Sequence, residues 1–471
     1  MWKDGERGYI MDKKVELKEI INKQRDFFNT NATKSVEYRL RMLQRLKKII
    51  VANEEKILSA LYNDLSKSKS EVYMTEIAMV YTELDEALKN VRSWSRPQRA
   101  RGTIGTFPAK NYVFSEPYGI VLIMSPWNYP FNLAIAPLIA AISAGNCAVI
   151  KCSKESKYTS NLIKEIINNT FDKKYIYCVD SDIEYNDVIY QKYDYIFFTG
   201  SSRVGKIIMR AASENLTPVS LELGGKCPCI VDESANIKIA AKRIVWGKLL
   251  NAGQACVSVD YVAVHSSVKE KLIKCILKEI KSRYKDALNN NTYPRIINEH
   301  HYKRLLNLIR AEENIIGGRA DEFSKKIEPT VLPEADFEDE IMKEEIFGPL
   351  LPIIEYSDIK KLIRTIKERE KPLACYVFTK NEKIARRIIK SISYGGGCVN
   401  DVVLHVSNHY MPFGGVGNSG IGSYHGKYGF DTFSHKKSVV WNETMLDLPI
   451  RYAPFNLLKF RMLKYILTKF R

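Results

Sequence analysis

The sequence lacks the cysteine and histidine patterns of a disulfide framework or a metal site. Its nine cysteines are an odd number, follow no disulfide-like spacing and often stand in apolar strings such as Cys147-Ala148-Val149. Cys227 and Cys229 have no second Cys or His pair at ligand spacing, and the seven histidines include no His-Glu-x-x-His. We therefore expect buried thiols, a reducing cytoplasmic location and no metal site.

The sequence also lacks an uninterrupted membrane span. Acids and bases stand among the first six residues, so the apolar core of a signal peptide is missing. Residues 117–150 carry no charge, a pattern that can indicate a span, but several residues interrupt them: Pro126, Asn128, Pro130, Asn132 and Pro137. We interpret this stretch as a buried strand, a loop, a helix and a second strand, and predict a soluble protein.

Blocks of one charge sign are absent as well, although the 471-residue chain has a formal net charge of +18. Such a charge raises nucleic acid or an anionic membrane surface as partners. The basic residues are spread along the chain among acids, and no recognised nucleic-acid-binding module accompanies them. This favours a solvated surface and no nucleic-acid partner. The length allows two or three domains.

Strand and helix patterns alternate along the chain. Helical periodicity covers residues 13–63 and about 71–95, before a break at residues 96–109. Apolar, β-rich strings follow at residues 120–124, 148–150, 175–179, 195–198 and 219–221. Helical patterns separate them at about 131–143, 157–169, 183–190 and 203–213. The alternation predicts an α/β fold with a parallel, doubly wound sheet, which binds ligands at the carboxyl ends of its strands. Residues 222–433 repeat it less regularly, as a second α/β domain would.

The C-terminal segment, residues 444–471, predicts a basic amphipathic tail. Arg461, Lys464, Thr468 and Arg471 share one narrow face of a helical wheel, among many apolar side chains. Such a helix can lie in a membrane interface as a peripheral contact. It can equally dock against the protein body or a dimer partner, and both interpretations stay open.

Two glycine-rich strings resemble nucleotide-binding motifs. Residues 415–420 (GVGNSG) match GxGxxG, but no clear strand precedes them and too little chain follows for a βαβ crossover, which favours a structural loop. Residues 200–206 (GSSRVGK) follow a predicted strand and nearly match a P-loop, yet Ile207 stands where Mg²⁺ binding requires Ser or Thr. A capping Ser201 or Ser202 would open a helix whose N-terminus can hold a pyrophosphate. A P-loop NTPase is the alternative.

Three residues in separate strings have the chemistry of covalent catalysis. Cys256 follows a polar turn (NAGQAC), where it is either a small buried hydrophobe or a nucleophile. Glu222 ends an apolar strand, and partial burial there would raise its pKa towards the working range of a general base. Asn128, in SPWNYP, places an amide donor after the first core strand, a suitable position for stabilising an oxyanion.

These three strings resemble the aldehyde dehydrogenase superfamily. So do residues 343–349 (KEEIFGP) and 411–415 (MPFGG), and the similarity runs from about residue 15 to 445. Two further strings resemble its class 3 branch in particular, which includes fatty and aromatic aldehyde dehydrogenases: residues 395–403 (GGGCVNDVV) and 420–426 (GIGSYHG).

The resemblance implies a mechanism through a covalent thioester. Cys256 attacks the aldehyde, and the Asn128 side chain and the Cys256 backbone N–H hold the oxyanion of the thiohemiacetal. Hydride passes to NAD or NADP, and water activated by Glu222 hydrolyses the thioester. The expected cofactor-binding residues are Lys151, Lys154, Thr199, Gly200, Ser201, Gly205, Glu345 and Phe347. Lys151 would contact the adenosine ribose, while Glu345 and Phe347 would hold the nicotinamide ribose and ring.

The resemblance also implies an architecture and an oligomeric state. A Rossmann-type dinucleotide-binding domain would comprise residues 13–97 and 117–221, and an α/β catalytic domain residues 222–433. A small dimerisation hairpin would comprise residues 98–116 and 434–443. We therefore expect a homodimer that acts on a small-molecule aldehyde.

Lys154 departs from the family pattern. The family usually has Lys-Pro-x-Glu where this chain has KCSK at residues 151–154. The usual acid pairs with ribose hydroxyls and repels a 2′-phosphate, whereas a lysine would attract one. The substitution predicts that NADP is accepted or preferred, unless Glu155 replaces the missing acid or Lys154 faces solvent.

Other functions stay open on the sequence alone. A CoA-acylating aldehyde dehydrogenase would release its thioester to CoA, but Glu222 favours hydrolysis. A catalytically silent basic scaffold would have an unreactive Cys256. Class 3 similarity and the apolar tail favour medium- or long-chain aliphatic aldehydes or aromatic aldehydes.

Overall fold

A computed structural model describes the backbone of residues 4–469 and the side chains of residues 15–469; Arg471 of the predicted basic face lies outside the described residues. The helices are α1 Asp4–Asn29, α2 Val36–Ala52, α3 Glu54–Leu65, α4 Lys69–Val72, α5 Ala78–Trp94, α6 Asn132–Ala144, α7 Lys157–Thr170, α8 Tyr185–Ile189, α9 Ser202–Ser213, α10 Ile237–Leu249, α11 Lys269–Arg283, α12 Glu299–Arg310, α13 Ile359–Glu368, α14 Glu382–Ser391, α15 Gly426–Thr432 and α16 Leu457–Lys469. A π-helical turn, Tyr73–Ile77, joins α4 to α5.

The strands form two large sheets and two small ones. In chain order they are β1 Gln98–Ala100, β2 Lys110–Pro117, β3 Ile120–Met124, β4 Cys147–Lys151, β5 Ile176–Cys178, β6 Tyr195–Thr199, β7 Val219–Glu222, β8 Pro228–Val231, β9 Tyr261–His265, β10 Ala320–Asp321, β11 Lys326–Ile327, β12 Thr330–Leu332, β13 Leu350–Tyr356, β14 Ala374–Phe378, β15 Gly396–Val399, β16 Gly420–Ile421 and β17 Ser434–Trp441.

The first large sheet has the order β16-β7-β6-β3-β4-β5. Its five predicted strands are confirmed as parallel, and only the short edge strand β16 pairs antiparallel, with β7. Every residue of β3, β4 and β6 is buried, as expected for a parallel sheet that helices cover on both faces. The doubly wound arrangement that the sequence predicts is therefore present.

Helix α6 explains the stretch without charges. All of its 13 residues are buried, so it needs no polar face. It packs against strands β3 and β4 and against helices α5 and α15. Among residues 4–469, no helix is long and apolar enough to cross a membrane.

The second large sheet has the order β12-β13-β9-β8-β14-β15, with parallel pairing throughout. It draws its strands from residues 228–399, which lie within the predicted second α/β region. Helix α13 shows why this sheet is covered: Leu362, Ile363 and Ile366 form a buried stripe, and its charged residues face outward.

A three-stranded antiparallel sheet, β1-β2-β17, stands apart from both. Strands β2 and β17 pair along eight positions, from Lys110 opposite Trp441 to Pro117 opposite Ser434. The pairing of β2 with β17 brings together residues far apart in sequence. The predicted hairpin of residues 98–116 and 434–443 requires this pairing. The division into domains stays a prediction.

Candidate active site

A strained turn presents Cys256. Asn251 and Ala252 have φ of 51° and 50°, and Gly253 has φ of 78°. A Cβ on Gly253 would lie 2.2 Å from the carbonyl oxygen of Gly348, so glycine is required here. Such strain persists only where the surroundings hold it, and it is common at functional sites.

The thiol of Cys256 has an acidic, buried environment. Burial, followed by the negative charges of Glu345 and Glu222, raises the pKa of Cys256 to about 12. These two charges therefore lie within electrostatic range of the thiol. The Cys227 Sγ donates to the Cys256 carbonyl oxygen at 3.3 Å and helps to fix the loop. At neutral pH the thiol is protonated, so attack on a substrate requires removal of its proton.

Glu222 is the last residue of β7 and is only 2% exposed. Neither of its carboxylate oxygens has a hydrogen-bond partner among the described residues. Burial raises the pKa of Glu222 well above its ordinary value. An unpartnered, weakly acidic carboxyl beside a thiol has the properties that a general base needs.

Asn128 lies in the loop after β3, whose carboxyl end is on the same edge of the sheet as Glu222. Its Nδ2 donates to the carbonyl oxygen of Gln254 at 3.1 Å, two residues before Cys256. An amide nitrogen carries two hydrogens, so one is left for a developing oxyanion. The structure thus brings Asn128, Glu222 and Cys256 together, as the sequence predicts.

The predicted cofactor residues Lys151 and Thr199 end β4 and β6, the two strands on either side of β3, so they lie at the same edge of the sheet. The Lys151 Nζ donates to the carbonyl oxygens of Ser181 at 2.6 Å and Cys152 at 3.2 Å, and burial lowers the pKa of Lys151. The buried hydroxyl of Thr199 has no partner among the described residues. An orphaned polar atom at the carboxyl edge of a parallel sheet fits a ligand there.

Helix α9 begins where the sequence predicts a helix N-terminus suited to a phosphate. Ser201 caps it by accepting from the Val204 backbone N–H at 3.4 Å, which confirms the predicted helix start. A Cβ on Gly200 would lie 2.4 Å from the Phe198 ring, and one on Gly205 would lie 2.9 Å from the Leu223 side chain. These glycines let the helix N-terminus approach the sheet edge closely, where its free N–H groups suit a pyrophosphate.

Lys154 is exposed in the turn between β4 and α7. The carboxylate of its neighbour Glu155 already accepts a hydrogen bond from the Asn298 Nδ2 at 2.7 Å. Asn298 also caps α12. Glu155 is therefore held by Asn298, whereas Lys154 is exposed to solvent.

Glu345 and Phe347 lie on a loop that faces the nucleophile turn. The Glu345 carboxyl packs so tightly on Gly224 that a Cβ there would lie 2.0 Å from it. Burial, followed by Asp260, raises the pKa of Glu345 to about 8. Phe347 has φ of 51°, and its ring meets Trp127 edge-on at 5.3 Å.

The GxGxxG string is a structural loop, as the sequence predicts. A Cβ on Gly415 would lie 2.0 Å from the Ser419 carbonyl oxygen, so the loop is closed on itself. Gly420 then pairs with Glu222 at the sheet edge. The string thus packs beside the backbone of Glu222.

Sequence reasoning missed the charged residues that hold the site loops from behind. Lys67 and Glu76 form a fully buried ion pair against the Asn128 loop. A signal was present: Glu76 stands four residues after Val72 and four before Val80, so a charge occupies the apolar face of a helix.

A doubly wound parallel sheet with orphaned polar groups at the carboxyl ends of its strands is typical of an α/β enzyme with a ligand site at that edge. The chain belongs to the aldehyde dehydrogenase family, whose model matches residues 10–439. It is 46% identical to the 4,4'-diaponeurosporen-aldehyde dehydrogenase of Staphylococcus aureus (91% of this chain, 94% of that one) and 41% identical to the mouse aldehyde dehydrogenase named dimeric NADP-preferring (90% and 94%).

The fold agrees with this assignment. The solved substrate-bound state of Staphylococcus aureus AldH superposes with a TM-score of 0.93 at 45% identity, over 96% of this chain and 99% of that one. This protein is an NAD(P)-dependent oxidoreductase that oxidises aldehydes to carboxylic acids.

Proposed function

We propose that the oxidation proceeds through a thioester on Cys256. The observation that carries the proposal is that Glu345 and Glu222 lie within electrostatic range of the thiol, while Asn128 contacts the Gln254 carbonyl oxygen two residues before it. Once the thiol has given up its proton to solvent water, the thiolate attacks the aldehyde carbon. The carbonyl oxygen becomes an oxyanion, which Asn128 Nδ2 and the Cys256 backbone N–H hold. NAD(P), when bound, supplies the acceptor for the hydride that leaves the thiohemiacetal carbon. Glu222 then takes a proton from water, which attacks the thioester carbon and releases the acid.

We infer that the cofactor lies along the predicted residues, from Lys151 and Lys154 past Thr199 to Glu345 and Phe347. The orphaned Thr199 hydroxyl and the glycine cradle of α9 fit a dinucleotide. Lys151 would orient the ribose, the N-terminus of α9 would bind the pyrophosphate, and Phe347 would pack on the nicotinamide side.

Lys154 sets a preference for NADP in this proposal. Its exposed ammonium would attract a 2′-phosphate, in keeping with the mouse relative that is named NADP-preferring. Lys154→Glu should raise kcat/KM for NAD relative to NADP by about 10-fold or more, since one charge contact is exchanged for a repulsion. Initial rates with both cofactors measure this ratio, and Lys157→Glu, a nearby exposed lysine, serves as the control. Wild-type turnover at least about tenfold more efficient with NAD than with NADP would contradict the preference.

The substrate proposed is a medium- or long-chain aliphatic aldehyde or an aromatic aldehyde. The class 3 motifs support this, and so does a relative whose name specifies a diaponeurosporen aldehyde. The test is NADH and NADPH formation with a series of aldehydes of increasing chain length and with aromatic aldehydes. Acid should accumulate whether or not CoA is present. An acyl-CoA product would favour the CoA-acylating alternative.

We also propose a homodimer formed through the three-stranded sheet. The mouse relative is named dimeric. Strand β17 leaves Val440 56% and Trp441 63% exposed, an apolar end suited to a second copy. The domain bounds proposed are those expected from the sequence: residues 13–97 with 117–221, residues 222–433, and residues 98–116 with 434–443.

A peripheral membrane contact is proposed for the tail. No described residue of α16 is buried, and its exposed apolar side chains stand among Lys459, Arg461, Lys464 and Lys469 without any acid. The exposure of the helix supports a surface outside this subunit, either a membrane or a dimer partner. Each basic residue near an anionic surface contributes about 1 kcal/mol.

Deleting residues 452–471 tests the tail. The full chain should sediment with vesicles of phosphatidylcholine and phosphatidylserine, and less with phosphatidylcholine alone. The deletion should abolish sedimentation and leave aldehyde oxidation in solution unchanged. Undiminished vesicle binding by the shortened chain would contradict the proposal.

A further inference from the structure

A buried ion pair lies behind the candidate active site. Lys67 follows α3, and Glu76 belongs to the π-helical turn Tyr73–Ile77. The Lys67 Nζ and the Glu76 Oε1 are 2.8 Å apart, and both side chains are fully buried. Burying two charges is costly unless further hydrogen bonds satisfy them, so the remaining partners of the pair show what it holds.

Those partners are backbone groups of the Asn128 loop. The Lys67 Nζ donates to the Asn128 carbonyl oxygen at 2.8 Å, and it lies 3.9 Å from the centre of the Tyr129 ring. The Glu76 Oε2 accepts from the backbone N–H groups of Phe131 at 2.9 Å and Asn132 at 3.2 Å. The pair therefore fixes the loop at Asn128 and at the start of α6. π-Helical turns are rare in proteins, and those that occur often lie at functional sites.

The same segment also holds the nucleophile turn. The Glu71 Oε1 accepts from the Asn251 backbone N–H at 2.6 Å. The Asn251 Nδ2 donates to the carbonyl oxygens of Asn128 at 2.9 Å and of Gln254 at 3.1 Å. Residues 67–76 thus bind both the Asn128 loop and the nucleophile turn that precedes Cys256. They fix the position of one relative to the other.

We propose that Lys67 and Glu76 are positioning residues for the oxyanion step, acting through Asn128. The inference rests on the proposed role of Asn128 as an oxyanion donor. Neither side chain reaches the surface of the site, so neither can contact the substrate. Their contribution is to hold the Asn128 Nδ2 where the oxyanion forms. A donor displaced by about 1 Å loses much of its effect, on the order of 100-fold in rate.

A double-mutant cycle between Lys67→Met and Asn128→Ala tests the proposal. Methionine keeps the length of the side chain and removes the donor. Lys67→Met should lower kcat/KM by about 10- to 100-fold in the native background. This loss does not exceed the loss expected when one oxyanion donor is removed completely. In the Asn128→Ala background Lys67→Met should lower kcat/KM less than about twofold, because the side chain that Lys67 positions is already absent. The KM for NADP should change little in either background, since the pair does not touch the cofactor residues.

Arg39→Met is the matched control. Arg39 is also a buried cation, and it donates to the Ser143 carbonyl oxygen at 3.2 Å, at the far end of α6 from Asn128. This variant should lower the melting temperature without a comparable fall in kcat/KM. Glu76→Gln, which keeps an acceptor for Phe131, is the milder second variant should Lys67→Met fail to fold, and the same cycle with Asn128→Ala applies to it.

The outcomes separate two failures. Equal losses of kcat/KM in both backgrounds, or a loss in Arg39→Met as large as in Lys67→Met, would mean that the pair is merely structural and would overturn the inference. An Asn128→Ala enzyme as active as the native one would overturn the proposed oxyanion donor as well. A folded Lys67→Met or Glu76→Gln enzyme with native kcat/KM would overturn the positioning role alone.

Discussion

Replacing Cys256 by serine should lower kcat for aldehyde oxidation by at least ~10⁴-fold, as loss of a catalytic nucleophile does elsewhere. The hydroxyl of serine is a far weaker acid than a thiol, and the burial that raises the pKa of Cys256 to about 12 would disfavour an alkoxide as well. NADPH formation followed by absorbance measures the loss.

Cys275→Ser is the control for this substitution. Cys275 is a partly exposed free thiol on α11, outside the nucleophile turn. Its replacement should leave kcat within about twofold of the native value, as surface substitutions generally do. Equal activity of the native and Cys256→Ser enzymes would remove the thioester from the mechanism.

The rate of the acylation half should also rise with pH. Cys256 reacts as the thiolate, and its raised pKa means that the protonated thiol predominates at neutral pH. Raising the pH through the neutral and mildly alkaline range therefore increases the reactive fraction. Single-turnover rates of cofactor reduction at several pH values follow this dependence.

Glu222→Gln should slow thioester hydrolysis by about 10²- to 10⁴-fold, the range for loss of a general base. Glutamine keeps the volume of the buried side chain but cannot accept a proton from water. If acylation is preserved, stopped-flow traces should show a rapid burst of reduced cofactor, one per active site, followed by slow turnover.

Glu345→Gln is the matched control, because it removes a second carboxylate near Cys256 without removing the proposed base. We expect a higher KM for the cofactor and no accumulation of a covalent intermediate. A Glu222→Gln enzyme that lacks the burst would place Glu222 in the first half of the reaction instead.

Local patterns predicted the first sheet well. The strand at residues 120–124 was placed without error, and α7 and α9 differ from prediction by a single residue at one end. The signals are local because the strand is apolar throughout, α7 has a periodic pattern of buried residues and Ser201 caps α9. β5, predicted at residues 175–179, is shorter because only Ile176–Cys178 pairs with β4.

The site residues were predicted through motifs, whereas their support was not. Asn128, Glu222 and Cys256 each stand in a recognisable string. Lys67 contacts a carbonyl group 61 residues away, and Glu76 contacts an N–H group 55 residues away. Periodicity within one helix cannot show such a partner. The exposed state of α16 is equally beyond the sequence, since an amphipathic pattern does not name the surface that it meets.

The most direct test of the thioester is the mass of the Glu222→Gln protein after mixing with aldehyde and NADP. The account predicts an acyl group on the peptide that contains Cys256, in an amount equal to the NADPH formed in the burst. NADPH formed without that adduct, or an acyl group on another cysteine, would contradict it.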